Sequence, residues 1–389
     1  MLNHYKAKAY LTEEAQPASS VTSDIEGGGS SEPTTSQPQL SSNSPPPAYH
    51  HEPLGRAILS QDRSLTRVLE KHGFSGSEIK SVLLGEIPGG LTTLVSSDLD
   101  CDRLDYLMRT AHCAGLPYGK VDIEYIVSQT CLDSEGRLCI TKKALRAADH
   151  LLISRYYDYT QVVFHKTVVG LELVLRDAIK RLLNQGLLDF SGAAIANMIE
   201  DGSFANLDDQ FLIGRMRSAL GQIAEGDPLR VKIPAILNRH PPKLVASSEA
   251  VGEATKNRLA LHLTLKQQLE DKMQAATNKF ELDPALWYLW DRYLGLSKIG
   301  SKVPLSDVSN GSFEEESAQA VRVLTSNPNA DPSSSKPLIE HEFALMNQLS
   351  QSNLYVIRLY LHLPPEREQL RSQIMKYFRD ELPHFPFSP

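Results

Sequence analysis

Between Ser96 and Gly119 the chain reads SSDLDCDRLDYLMRTAHCAGLPYG, which sets acids at Asp98, Asp100, Asp102 and Asp105 among Arg103, Tyr106 and Arg109. A helix through this stretch sorts them. Leu104, Leu107, Met108 and Ala111 fall at i, i+3, i+4 and i+7 and face a core, while Asp102, Asp105, Tyr106 and Arg109 form a second stripe about a quarter-turn round. That second stripe is either a reactive face or a solvated one, since acids and arginine serve both. Further on, Arg155, Tyr159 and Lys166 share one face of a continuous helix, because eleven residues make almost three whole turns. Two cations around a phenol line a groove that suits phosphate, unless that face is simply hydrated.

The elements that must position these residues are readable in outline. A helix capped at Ser97 or Asp98 runs to about Cys113, with acids in its first turn and Gly115 and Pro117 as its stop. CLDSEGRLCI (Cys131 to Ile140) predicts a hairpin turning at Asp133 to Gly136. From Thr141 a helical pattern extends to about Gln185, either as one unusually long helix or as two meeting near Tyr157 and Asp158. Upstream, Leu54, Ile58, Leu65, Val68 and Leu69 predict one helix or a broken pair, and Ile79, Val82 and Leu83 another, ending at the IPGG break of residues 87–90. Downstream, residues 202–220 predict a helix capped near Asn206 or Asp208, residues 227–245 a basic kinked helix or loop, and residues 255–279 an amphipathic helix. Residues 301–312 and 320–363 suggest strands and a short helix. Tyr355 to Leu363 alternates as a half-buried strand does, and Glu366 to Phe378 closes as a helix.

Composition limits the function classes. With 389 residues, 41% of them hydrophobic, the chain can build a large core or two domains, and its formal charge of -7 gives no general attraction to nucleic acid or to an anionic membrane. No apolar run approaches the roughly 20 residues that span a bilayer, and the first residues do not resemble a signal peptide, so a soluble cytoplasmic protein is expected. Four cysteines (Cys101, Cys113, Cys131 and Cys139) lack zinc-site spacing and are too sparse for a disulfide scaffold. Glu13 to Pro47 is dominated by Ser, Pro, Gly and Thr and cannot offset its ordering entropy by burial, so disorder is expected over residues 1–50.

DLDCDRLDYLMRTAHCAGLPYG, then VDIEYI, then after the hairpin LLISRYYDYTQVVFHKTVVGLE, resembles the second half of an HD-superfamily metal-dependent phosphohydrolase domain of the deoxynucleotide triphosphohydrolase type. The resemblance covers roughly residues 51–186 and implies a mainly α fold: an incomplete helical HD-type domain over residues 51–225, followed by a smaller α+β domain over residues 226–389. It implies a (deoxy)nucleoside triphosphate or related phosphate ester as ligand and a divalent metal (Mg, Mn, Fe or Zn) as cofactor; separately, apolar surface on the helices beginning near Leu54 leads to the expectation of a homo-oligomer. Residue by residue the resemblance makes Asp102 a metal ligand, Arg103 and Tyr106 nucleotide contacts, Arg155 and Lys166 neighbours of the phosphates, and His51 of the HHE at residues 50–52 a catalytic acid, while Tyr159 stays a substrate-binding candidate from the shared helix face alone. The chain departs from the pattern in having no His-Asp dipeptide and no counterpart of the first metal histidine. Thr110 and Val163 stand where polar residues are common in the family. His112, Asp149 and His150 are the residues that could rebuild a site. The parent activity is therefore expected to be lost in this chain as written, leaving as alternatives a nucleotide-binding regulatory subunit or a helical interaction scaffold without a ligand.

Overall fold

A computed structural model describes residues 51–84, 94–95, 97–253, 255–295, 320–325 and 334–388. The tract expected to be disordered, the IPGG break and the segment 301–312 lie outside the described residues. The architecture is mainly α with a smaller α+β region, as the sequence reading expects. The described residues group into two compact units, one of residues 51–77 with Gln185–Arg215, the other of Glu78–Asn184 with Met216–Pro389.

The first two helices, α1 (His51–Gln61) and α2 (Arg63–Lys71), are a broken pair. Asp62 breaks them: its carboxylate caps α2 by accepting from the backbone N–H groups of Ser64 and Leu65. Next come α3 (Gly76–Leu84), α4 (Cys101–Ala114), α5 (Ile123–Ser128), α6 (Leu145–Asp158) and α7 (Lys166–Asn184). They are followed by α8 (Gly192–Glu200), α9 (Asp209–Ala219), α10 (Leu229–Leu237), α11 (Lys256–Lys279), α12 (Leu345–Leu349) and α13 (Arg371–Glu381). Asp208 caps α9 through the Phe211 amide and Thr255 caps α11 through that of Arg258, both at expected positions. The closing helix differs from expectation, since residues 365–370 form a 3₁₀ segment and the α-helix begins only at Arg371.

Two sheets belong to the larger unit. One orders its strands β1 (Thr130–Leu132), β2 (Leu138–Ile140), β5 (Arg322–Leu324) and β6 (Ser335–Pro337); the expected hairpin is its β1–β2 edge, with Gly136 at positive φ in the turn. The other orders β3 (Lys243–Glu253), β7 (Ser352–Leu361) and β4 (Trp287–Gly295), all antiparallel. β7 is buried on both faces, which corrects the half-buried expectation. Ile357, Leu359 and Leu361 pack with α11 and α13, through Leu269, Ala276, Ile374 and Phe378. Leu354, Val356 and Tyr360 pack on the other side with Val169 and Val174 of α7. A third core joins α4 and α6 to the first sheet through Leu107, Ile140, Leu151 and Val323.

Candidate functional site

Helix α4 begins two or three residues later than the sequence suggests. Asp100, rather than Ser97 or Asp98, is its N-cap, accepting from the Arg103 amide at 2.7 Å. Gly115 ends the helix in the left-handed region, as expected. The core stripe is narrower than read: Leu107 and Ala111 are buried and Leu104 packs against them, but Met108 is exposed. On the polar side Asp105 and Arg109 pair with each other at 2.5 Å in the open.

Late initiation of α4 leaves Asp98 and Asp100 in the turn before it, where they meet two buried arginines. Arg103 Nη1 donates to Asp100 Oδ2 at 2.7 Å, and Arg155 Nη1, from the end of α6, donates to Asp98 Oδ1 at 2.9 Å. Arg103 Nη2 lies 4.0 Å from the same Asp98 oxygen. The Arg155 side chain is 3% exposed, yet its Nε and Nη2 have no hydrogen-bond partner. Burial alone would lower its pKa, but Asp98 and the neighbouring phenols of Tyr106 and Tyr159 raise it, so the guanidinium stays charged. Burial raises the pKa of both phenols despite the arginines, which keeps their hydroxyls protonated at neutral pH.

A third acid completes the cluster. Asp158 accepts a 2.7 Å hydrogen bond from the Tyr118 hydroxyl, and burial raises its pKa against the effects of that bond and of Arg155. The cluster therefore sets three carboxyl groups against two guanidiniums. Sequence reasoning missed Tyr118 and Asp158 as a pair, and nothing local signals a partner forty positions away.

Helix α6 does not continue into α7. After Asp158 the chain forms a π-turn over Tyr159–Val163, and α7 starts afresh at Lys166. Three turns in eleven residues hold only for an unbroken α-helix, so the shared face expected for Arg155, Tyr159 and Lys166 is corrected: Arg155 is buried, Tyr159 half-buried, and Lys166 exposed without an ion-pair partner among the described residues. The π-turn is anchored from the sheet. Arg358 of β7 donates to the Phe164 carbonyl and to Glu249 Oε2 at 3.2 Å, and its guanidinium lies 5.2 Å from the Trp290 ring centroid. The Phe164 ring packs edge-on against both Trp290 and Tyr159.

The metal ligands implied by the resemblance do not assemble. Asp102 is exposed in the first turn of α4, and among the described residues no group of three His, Cys, Asp or Glu side chains could hold a metal ion. Asp149 cannot substitute, since its buried carboxylate caps α12 by accepting from the Leu345 and Met346 amides, while His112 and His150 are exposed. His51 opens α1 in the smaller unit, and its side chain lies outside the described residues. Among the described residues no set of side chains fits a divalent cation.

With this geometry in view, residues 121–225 match the family model of the HD associated region. An uncharacterized protein of Methanocaldococcus jannaschii is 30% identical over 169 residues, 43% of this chain and 36% of that one. The uncharacterized protein YwfO of Bacillus subtilis is 31% identical over 133 residues, 34% of this chain and 30% of YwfO. The chain thus spans about a third of the length of these two curated relatives. Among solved structures, a hypothetical protein from Aquifex aeolicus superposes with a TM-score of 0.54 at 20% identity, covering 86% of this chain and 76% of its own. A phosphohydrolase from Bacteroides thetaiotaomicron superposes with a TM-score of 0.53 at 18% identity, covering 81% and 73%. These likenesses are of fold. Together with the matched region they support a relationship to the HD superfamily and an HD-like phosphohydrolase fold. No described helix is long and apolar enough to cross a membrane.

Proposed function

We propose that this chain is a nucleotide-binding relative of the deoxynucleotide triphosphohydrolases, taking the phosphates of a (deoxy)nucleoside triphosphate or related ester at Arg103, Arg155, Tyr106 and Tyr159 without metal-dependent hydrolysis of its own. The observation that carries the reading is Arg155, a buried cation with two unpartnered donors. Buried N–H groups without acceptors cost about 1–3 kcal/mol each, and a phosphate oxygen would recover that cost. Arg103 adds a second cation, and the protonated phenols of Tyr106 and Tyr159 supply neutral donors. Lys166, exposed at the start of α7, is a further cation outside this cluster. Asp98 and Asp100 occupy one edge of each guanidinium, so an incoming anion competes with them and modest affinity is expected.

The same pairing favours the second reading, a scaffold whose buried ion pairs are structural and take no ligand. Calorimetry at low salt with each deoxynucleoside triphosphate separates the two. Binding that falls steeply with added salt and weakens about ten- to a hundredfold in Arg155→Ala, the size expected for lost charged hydrogen bonds, supports the ligand site. Identical behaviour of wild type and Arg155→Ala supports the scaffold. In either case elemental analysis should find well under one equivalent of Mg, Mn, Fe or Zn. Stoichiometric metal lost on Asp102→Ala would overturn the reading that this chain does not hold the cofactor.

A further inference from the structure

The β1–β2 hairpin brings together two thiols that the arginine cluster does not use. Cys131 and Cys139 are direct register partners, and their Sγ atoms lie 3.6 Å apart. Cys139 is buried and Cys131 only partly so, which makes Cys131 the more accessible residue of the pair. The hairpin holds them from both ends: the Asp133 amide donates to the Arg137 carbonyl at 3.0 Å, and the Thr141 amide to the Gln129 carbonyl at 2.9 Å. Docking fixes it further. Asp133 Oδ2 accepts from Ser335 Oγ of β6, and Ile140 registers against Val323 of β5.

Directly opposed residues of an antiparallel ladder have Cα atoms about 4.5–5.5 Å apart, inside the range of about 4.4–6.8 Å that a disulfide accepts. Closing the gap to a bond of about 2.05 Å therefore asks mainly for side-chain rotation. Cys101 and Cys113 offer no such geometry. Both lie on α4, twelve residues and so about 18 Å apart along the axis, where they can each take an adduct but cannot bridge.

We propose that Cys131 and Cys139 form a dithiol modification site that closes to an intrachain disulfide when the protein meets a low-molecular-weight disulfide such as oxidised glutathione. In the first step the Cys131 thiolate attacks one sulfur of the small disulfide, whose S–S bond breaks and releases one small thiolate. In the second, Cys139 gives its proton to water and attacks Cys131 Sγ, expelling the second small thiolate. Each cysteine loses one electron, and the small disulfide takes up two electrons and two protons. Burial pushes the Cys139 thiol up to about 12, and the contact with Cys131 adds to this, so the second step is the slow one and Cys131 is the entry sulfur.

The test is oxidation of the native chain with oxidised glutathione, alkylation of remaining thiols, and peptide mapping. Trypsin cuts after Arg137, between the two cysteines, so the bridge appears as residues 121–137 joined to residues 138–142. Expected are that linked pair, its disappearance with dithiothreitol, a higher melting temperature for the oxidised chain, and a Cys139→Ser variant that stops at the glutathione adduct on Cys131. A stable adduct on Cys131 beside a free Cys139 in the unaltered chain would overturn the proposal. So would full alkylation of both thiols after oxidation, under conditions in which Cys101 and Cys113 have reacted.

Discussion

Asp133 shows how much one buried carboxylate can be asked to carry. Its side chain has no exposed surface, and burial alone would raise its pKa. Hydrogen bonds from Ser335, from the Arg137 amide and guanidinium and from the Glu135 amide outweigh that effect and hold it at about 2. A folded-state pKa below the unfolded value of about 3.9 means that the stabilisation is fully present above pH 4 and is lost as pH falls through about 2, where the folded carboxylate is finally protonated. Asp133→Asn is therefore expected to cost about 1.5–3 kcal/mol at neutral pH, the scale of hydrogen bonds to a charged group, and to flatten the dependence of stability on pH between about 4 and 2. Urea titrations of both proteins across that range check the sign. An equal acid-induced loss in the variant would show that other carboxylates set the acid limit. Asp158 is the opposite case, with its pKa raised by burial, so its own contribution to stability falls as pH rises. The arginine cluster and the hairpin anchor thus shift the same residue type in opposite directions.

Among the elements, α4 and the short 3₁₀ turn Pro117–Gly119 that folds back on it are packed to the limit. A Cβ at Gly119 would overlap that of Ala111 and come within 3.0 Å of the Leu107 carbonyl. Gly119→Ala is expected to destabilise by about 1–3 kcal/mol through overpacking, and Ala111→Gly in the same chain to restore part of the loss. Thermal melts of the single and double variants read both effects. Some boundaries were legible because their signals are local: Asp208 and Thr255 cap helices from within three residues, and Gly115 stops α4 by its own conformation, whereas α4 starts from Asp100 and not from Ser97 or Asp98. What escaped was set at long range. The sequence reading assigned no strand to β4 and took the start of β3 for a loop, because their pairing with β7 is made 58 to 118 positions away. Alternation made β7 look half-buried, whereas on its polar side the Arg358 guanidinium is engaged by the Phe164 carbonyl, Glu249 and Trp290. At the candidate site the arginines were legible as types. Their counter-ions were not, since Asp98 stands 57 positions from Arg155.

At the scale of the whole chain, the negative formal charge of -7 opposes any anionic ligand at a distance, so affinity for nucleotide must come from the arginines at short range. The sheet β3–β7–β4 is the feature on which the larger unit most depends, because its central strand separates two cores. Amide exchange is expected to be slowest at Val356, Leu359 and Tyr360, and replacing Val356, fully buried on the α7 side, by Asp should collapse that core and cost more than about 4 kcal/mol. Exchange as fast there as in α13 would mean that the sheet is not the most protected part of the unit. The strand order has a consequence for how the protein is made. β3 and β4 leave the ribosome before β7, and at roughly 5–20 residues per second the wait is on the order of seconds. Throughout that interval both strands lack the partner that joins them, so a translating cell holds nascent chains with two unsatisfied edges, and chaperone demand during synthesis should peak just before residue 352 emerges.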